Sequence, residues 1–331
     1  MGVNLTPIIL KKEISLSDLR GKILAVDGNA ELYQFLALIR MPDGTPLKDS
    51  HGNITSHLVG LLYRSTRLIS DYGIRPIFTF DGIPPHLKEK EIEKRREIKE
   101  RFTKEYEEAK ARGDMAVAFA KSVMTSRLTS SMVEDAKRLL RLLGIPCIQA
   151  PSEAEAQAAF MVKRGDAWAV GSKDYDSLLF GTPRLARFVS ISGKEFLPSK
   201  GKFRPIKPEI IEADEMLRKL QISLRQLIDI AILIGTDFNP GVKGIGPKTA
   251  LKLMQTYGSI EHLPQDIRSK AAKNYREVRE IFYHPQTTED YSTEHKTVDK
   301  IGLYEFLCKE RDFSRERVEM VVKRMGSLHY V

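Results

Sequence analysis

Three short apolar runs in this chain each lead into aspartate. KILAVDGN (22–29) reaches Asp27, RPIFTFDGIPP (75–85) reaches Asp81, and WAVGSKDYDSLLFG (168–181) reaches Asp174 and Asp176. Short apolar runs bounded by turn residues read as buried strands. Helical patterns lie between them at 31–40, 57–72, 88–112, 115–143 and 153–164, and from about residue 223 the pattern is all helical. Strands alternating with helices specify an α/β fold with a mostly parallel central sheet flanked by helices. In such sheets, sites form outside the carboxyl ends of the strands, where these aspartates lie. A solvated or capping aspartate would account for any one of them, but less readily for three strands ending alike. Asp174 and Asp176 share a face if the extended conformation persists through Lys173–Asp176, since residues i and i+2 of a strand point the same way.

APSEAEAQAAF (150–160) adds two more acids. Ser152 with Glu155 three residues later has the form of a capping box at a helix start. That leaves Glu153, which either favours the positive helix end or serves a site. Both glutamates lie in the first turn, from which they can point past the helix end into the same crevice. Asp237, in GTDFNPG after a very apolar helix, is a seventh candidate. Seven carboxylates cannot share one place without cations. Oxygen-only ligands suit Mg²⁺ or Mn²⁺ rather than Zn²⁺. Two such ions, about 3.5–4 Å apart, are the usual device for phosphodiester hydrolysis.

Composition fits that chemistry. Net charge is +9, which favours polyanionic partners, chiefly nucleic acid. Cys147 and Cys308 make neither a disulfide framework nor a zinc-site spacing, so a reducing, intracellular compartment is the default. No apolar run approaches the ~20 residues of a membrane span. MGVNLT does fit a myristoylation pattern.

Residues 88–112 carry 18 charges, ten basic and eight acidic. A helix with so little apolar face either projects from the body or orders on a partner. GVKGIGPKTA (241–250) is not a P-loop, because Pro247 displaces Lys248 from the required position. It reads as a helix–hairpin–helix turn. Gly244 and Gly246 let backbone approach a phosphate, Pro247 suits position N1, exposed amides hold the anion, and Lys243 and Lys248 add charge. An ordinary helix–helix connection is the alternative. Such a turn grips the DNA backbone without reading sequence.

VDGNAELYQFL, DGTPLKDSHGNITSHLVGLLYR, FDGIPP, EDAKRLLRLLGIP, QAPSEAEAQAAF, KDYDSLLFG and LIGTDFNPGVKGIGPKTAL span nearly the whole chain. Together they resemble the flap endonucleases, structure-specific 5′ nucleases of replication and repair. The resemblance implies cutting of branched double-stranded DNA with a 5′ flap near its junction, with accompanying 5′–3′ exonuclease activity. It implies one nuclease domain over 1–331: an N-terminal part (1–84), a helical arch (85–130), an internal part (131–222) and a helical DNA-binding region (223–331). The family's metal carboxylates fall on Asp27, Asp81, Glu153, Glu155, Asp174, Asp176 and Asp237. Lys88 and Arg95 match the basic pair at the arch base, which contacts the scissile phosphate. Tyr33 matches a tyrosine that stacks on a base; apolar helix packing is its alternative. Arg64 matches a basic residue near the DNA junction. Gly2 matches a residue whose free amine lies near the active site, which argues against acylation. The resemblance also implies two Mg²⁺, with Mn²⁺ as a substitute, and K⁺ at the 241–249 turn.

Some positions depart from the family pattern. Lys173 stands where relatives often carry an uncharged polar residue; a cation there would lower metal affinity or add a phosphate contact. Phe238 replaces a frequent tyrosine. The usual sliding-clamp-binding tail is absent from KRMGSLHYV, so either the chain is truncated or clamp docking differs. The expected state is a monomer, in cytoplasm or nucleoid if prokaryotic and in the nucleus if eukaryotic. The rival readings are another 5′ nuclease, exonuclease or gap- or bubble-cutter, and a non-catalytic junction binder. The short insertion between Asp81 and Glu153 disfavours the bubble cutters, and the intact acids disfavour the binder.

Overall fold

The computed structural model describes residues 2–190, 193–197 and 202–326. Its strands are β1 (Lys12–Glu13), β2 (Ile23–Asp27), β3 (Arg75–Phe80), β4 (Cys147–Gln149), β5 (Ala169–Gly171), β6 (Arg184–Arg187), β7 (Gly193–Leu197), β8 (Lys202–Ile206) and β9 (Glu209–Glu212). Among the described residues, seven of them form one sheet in the order β1-β9-β6-β5-β2-β3-β4. The β6-β5-β2-β3-β4 body is parallel, and β9 and β1 add an antiparallel edge. β7 and β8 pair separately as an antiparallel hairpin.

β2 runs through the middle, with Leu24 and Ala25 fully buried. Both of its faces are covered, so it reads as a continuous apolar run instead of an alternating one. One face packs under α1 (Gly28–Leu38), α2 (Ser56–Tyr72) and the C-terminal helix Arg315–Gly326, through Leu32, Phe35, Leu58, Leu61 and Val318. α3 (Glu89–Ala111) and α4 (Met115–Ser122) form a hairpin, and α5 (Ser130–Leu142) returns the chain to that same core. The other face packs under α6 (Ala154–Arg164), through Ala156, Ala158 and Ala159, and under α9, described below. The small side chains of α6 let its axis approach the sheet closely.

Burial on α3 is confined to Tyr106 and Ala109. The rest is laced by ion pairs one turn apart, Arg95–Glu91 at 3.0 Å and Arg96–Glu100 at 3.2 Å, as its charge pattern predicts. The structure departs from the pattern over 115–143. Helix stops at Ser122, a 3-10 turn covers Val123–Thr125, and helix restarts at Ser130. Thr129 causes the restart, its side chain capping the Met132 amide.

Past the short α7 (Asp176–Leu179) and α8 (Ala213–Leu220), α9 (Leu224–Ile234) and α10 (Pro247–Tyr257) flank the glycine turn. The helical reading beyond 223 fails over 285–299, which has no helix. Among the described residues, no helix is long and apolar enough to cross a membrane. Residues 327–331, on which the reading of the clamp-binding tail falls, lie outside the described residues.

Candidate active site

Asp27 is the last residue of β2 and caps α1, accepting the Ala30 amide at 3.0 Å. Asp81 follows β3 directly. Its amide donates to Asn29 Oδ1 at 3.1 Å, and its Oδ1 accepts the Ala154 amide at 2.8 Å. Asp81 therefore caps α6 from a neighbouring strand. The capping box read from Ser152 and Glu155 is not what forms: the N-cap is Glu153, with no side-chain cap of its own. Asp81 fills that role, which leaves the Glu155 carboxylate for other work. Ser172 donates to Glu155 Oε1 at 3.0 Å, and the Asp174 amide donates to Ser172 Oγ at 3.2 Å.

The extended path expected through Lys173–Asp176 is also replaced. β5 ends at Gly171, the chain bends, and Asp176 opens α7. Asp174 and Asp176 meet the other acids through this turn, not through strand alternation. The Val3 amide donates to Asp176 Oδ1 at 2.7 Å. Gly2 is packed against the pair: a Cβ built there would lie 2.7 Å from Asp176 Oδ1 and 2.9 Å from Asp174 Cβ. Asp237 lies on the turn after α9. Thr236 and Asn239 hold that turn through a 2.7 Å side-chain bond, and Asn239 also bonds the Ile232 carbonyl.

All seven carboxylates share one electrostatic neighbourhood. Burial, then Asp81 and Asp174, push Asp27 well above the usual carboxylate range. Burial, then Asp176, Asp27 and Asp174, do the same to Glu155. Asp176 is pushed up to about 7 by burial and then by Asp237 and Asp174. Glu153 is raised by burial, with Asp81 and Asp237 adding to it against Lys88. These shifts mark negative charge short of cations. Protein cations supply part of the deficit. Lys88 bonds Glu153 and lies 3.6 Å from Asp237, and Arg95 bonds Asp237. Burial disfavours the Lys88 ammonium, but Glu153, Asp81 and Asp237 together outweigh it and the net shift is upward. The charged helix α3 does not simply project; its N-terminal end is tied down onto the acids.

The donor set is oxygen-only and carboxylate-rich, which fits hard divalent cations. Among the described residues, no three of these acids stand in ready-made ligating geometry, as expected of carboxylates that repel one another.

A scan against family models matches residues 1–102 to the XPG N-terminal domain and residues 144–237 to the XPG I-region. The first segment carries Asp27, Asp81, Lys88 and Arg95, and the second carries the other five acids. The chain is 50% identical to flap endonuclease 1 of Staphylothermus marinus, over 98% of this chain and 94% of that protein. It is 48% identical to flap endonuclease 1 of Pyrococcus abyssi, again over 98% and 94%. The solved flap endonuclease-1 from Methanococcus jannaschii superposes with a TM-score of 0.77 at 43% identity, covering 98% of both chains. The chain belongs to the flap endonuclease 1 family. The catalytic core of Rad2 in complex with DNA substrate shares the fold at 22% identity, with a TM-score of 0.71 over 97% of both chains.

The remaining residues carried over from flap endonucleases are dispersed. Tyr33 is 39% exposed on α1, with Lys99 of the arch over its ring at 4.6 Å. It is therefore not packed in the core, which was the alternative reading. Arg64 donates to the Ser190 carbonyl at 2.9 Å. Lys243, Gly244, Gly246 and Lys248 are exposed on the turn. Gly244 has φ +87°, a conformation that favours glycine, and Gly246 caps α10 with Pro247 at its start. Phe238 is buried against Phe282, ring centroids 5.5 Å apart.

Sequence reasoning missed Asn29, Ser172 and Glu31. Asn29 and Ser172 hold Asp81 and Glu155, and nothing in their spacing announces it. Glu31 is buried on α1 beside Leu32. A charged residue on the apolar face of a helix is the signal that could have found it.

Proposed function

We propose that this protein removes 5′ flaps from branched DNA by hydrolysing a phosphodiester near the junction, with two Mg²⁺ as cofactor and Mn²⁺ as a substitute. The observation that supports this most is the convergence of seven acids at one sheet edge, beneath an arch whose Lys88 and Arg95 reach down to two of them. Asp27, Asp81, Glu153 and Glu155 would chiefly hold one ion, and Asp174, Asp176 and Asp237 the other. Bound there, such ions activate water and offset charge building on the phosphate.

The chain's own residues do the rest. Lys88 and Arg95 are paired with acids of the cluster, and they hand their charge from Glu153 and Asp237 to the scissile phosphate as DNA enters. A preorganised cation facing developing phosphate charge lowers the barrier more than the same charge in water. Ser172, Asn29 and the Val3 amide fix the orientation of Glu155, Asp81 and Asp176. The exposed ring of Tyr33, at the arch base, offers a stacking face to a base. Arg64 contacts DNA near the junction. The 241–249 turn grips downstream duplex through backbone amides, Lys243, Lys248 and a K⁺ ion. The segment 85–130 is the arch through which a free 5′ end passes. The protein acts as a monomer.

The test compares flap, nicked, bubble and single-stranded DNA in Mg²⁺ or EDTA, beside Asp174→Asn. Metal-dependent cutting should favour the flap junction, and the variant should bind DNA but cut far more slowly. Equal cleavage of flaps and single strands would overturn the structure-specific reading. Full activity in Asp174→Asn would overturn the metal assignment.

A further inference from the structure

A small cavity lies against the acid cluster, on the α1 side of the sheet. Its polar lining comes from Glu31, Arg64, Ser172, Lys173 and Ser190, over an apolar floor that includes Phe35 and Phe78. Glu31 is 9% exposed, and among the described residues neither its Oε2 nor the Ser190 hydroxyl finds a partner in full hydrogen-bonding geometry, although the two groups are close enough to interact. A buried carboxylate oxygen without a partner is costly to leave in place. Burial raises the Glu31 carboxyl, while Ser190, Lys173 and Arg64 favour its charged form. Glu31 is also close enough to Asp27 to add to the repulsion there.

Two features of this wall are otherwise unexplained. Lys173 places a cation next to Asp174, where it should weaken binding of a divalent ion. Glu31 places an eighth acid on a helix face that should be apolar. Each accounts for the other. Lys173 is exposed and makes no direct ion pair among the described residues, with the cluster or with Glu31, but its charge is near enough to favour the ionised Glu31 carboxylate; Arg187 donates to its carbonyl at 2.8 Å, fixing its backbone. It lines the same cavity as Glu31. Arg64, the other cation there, is committed to the Ser190 carbonyl.

We propose that Glu31 is a positioning residue, the counter-charge that holds the Lys173 ammonium over this cavity and away from Asp174. Lys173 then neither opposes metal binding nor sits free to compete for the acids. The inference rests on the metal-site reading above.

A double-mutant cycle tests it, with Mn²⁺ affinity measured by calorimetry on DNA-free protein. Glu31→Gln keeps the shape and removes the charge. It should weaken Mn²⁺ binding about tenfold, the order expected for one unscreened charge a few ångströms away. Lys173→Gln alone should change affinity less than about threefold, and the double variant should return to within about threefold of the parent. A double variant as weak as Glu31→Gln would overturn the proposal, since Glu31 would then act on the ions directly. Unchanged affinity in Glu31→Gln would overturn it too. Thermal melts in EDTA give a second readout. Because burial opposes the Glu31 charge more than its neighbours support it, removing that charge should leave the melting temperature unchanged or raised, and a drop would mark a merely structural role for Glu31. If the parent protein itself binds no Mn²⁺, the metal-site reading fails instead.

Discussion

Lys88, at the start of α3, bonds Glu153 at the head of α6 and lies 3.6 Å from Asp237. One ammonium thus bridges acids supplied by two distant stretches of chain, and ties that helix to the sheet edge. The same cation that satisfies the acids is in place to meet a phosphate.

Lys88→Met should therefore have separate consequences in two assays. In EDTA, the acid cluster loses a buried counter-charge, and the melting temperature should fall. In saturating Mg²⁺, flap binding should hold while single-turnover cleavage falls about 10²–10³-fold, the range for losing one preorganised charge donor. A loss of binding with unchanged single-turnover rate would show that Lys88 grips DNA without serving the chemistry.

Ser172 touches the cluster through its hydroxyl, which donates to Glu155 and accepts the Asp174 amide. Ser172→Ala should raise the Mg²⁺ concentration for half-maximal cleavage about 10–100-fold, as for other residues that orient ligands. Excess metal should restore the rate. Failure of excess metal to rescue would place Ser172 in the cleavage step itself.

The strands of the parallel body were legible because burial on both faces leaves continuous apolar runs, and their terminal acids were legible because catalytic edges are built there. The cause of convergence at Asp174 and Asp176 was not. A strand and a turn into α7 give the same DYD string, and only the end of the ladder at Gly171 separates them. Ser152 with Glu155 fits a capping box equally well, but Asp81, some 70 positions earlier, already occupies the α6 amide. Local pattern cannot register a competitor that arrives through the sheet. The break at 123–129 was hidden because the apolar period continues across it. Glu31 went unnoticed for the opposite reason: it was read as part of a helix, and its burial was not weighed.

Stability should respond to acid through His57. The ring is fully buried, neither nitrogen has a partner, and burial lowers its pKa to about 4. Unfolded, a histidine titrates near 6.5. The neutral ring is thus favoured in the folded chain. Its contribution is complete above about pH 6.5 and is lost as pH falls toward 4. His295, also lowered to about 4 by burial, adds in the same direction. Urea unfolding from pH 7.5 to 4.5 should show a steep loss that His57→Leu makes shallower by about 1–3 kcal/mol. Parallel pH curves for the two proteins would exclude His57 as a source of the acid sensitivity.

Gly82 decides whether Asp81 can reach α6 at all. Its amide donates to the Ser152 carbonyl at 2.6 Å, and the Ile83 amide to that of Pro151 at 3.0 Å. The segment after β3 is thereby drawn onto the segment before α6. A Cβ on residue 82 would press into the backbone of Ala150 and Pro151, which has no side-chain freedom to yield. Gly82→Ala must push the two segments apart, breaking these bonds and carrying Asp81 away from the Ala154 amide. The expected cost is about 2–4 kcal/mol by analogy with other overpacked buried sites. Because Asp81 moves with the segment, divalent-ion affinity should fall in the same variant, at temperatures well below its melting point. A variant that melts early yet binds Mn²⁺ with parental affinity when folded would show that Asp81 keeps its place without this close approach.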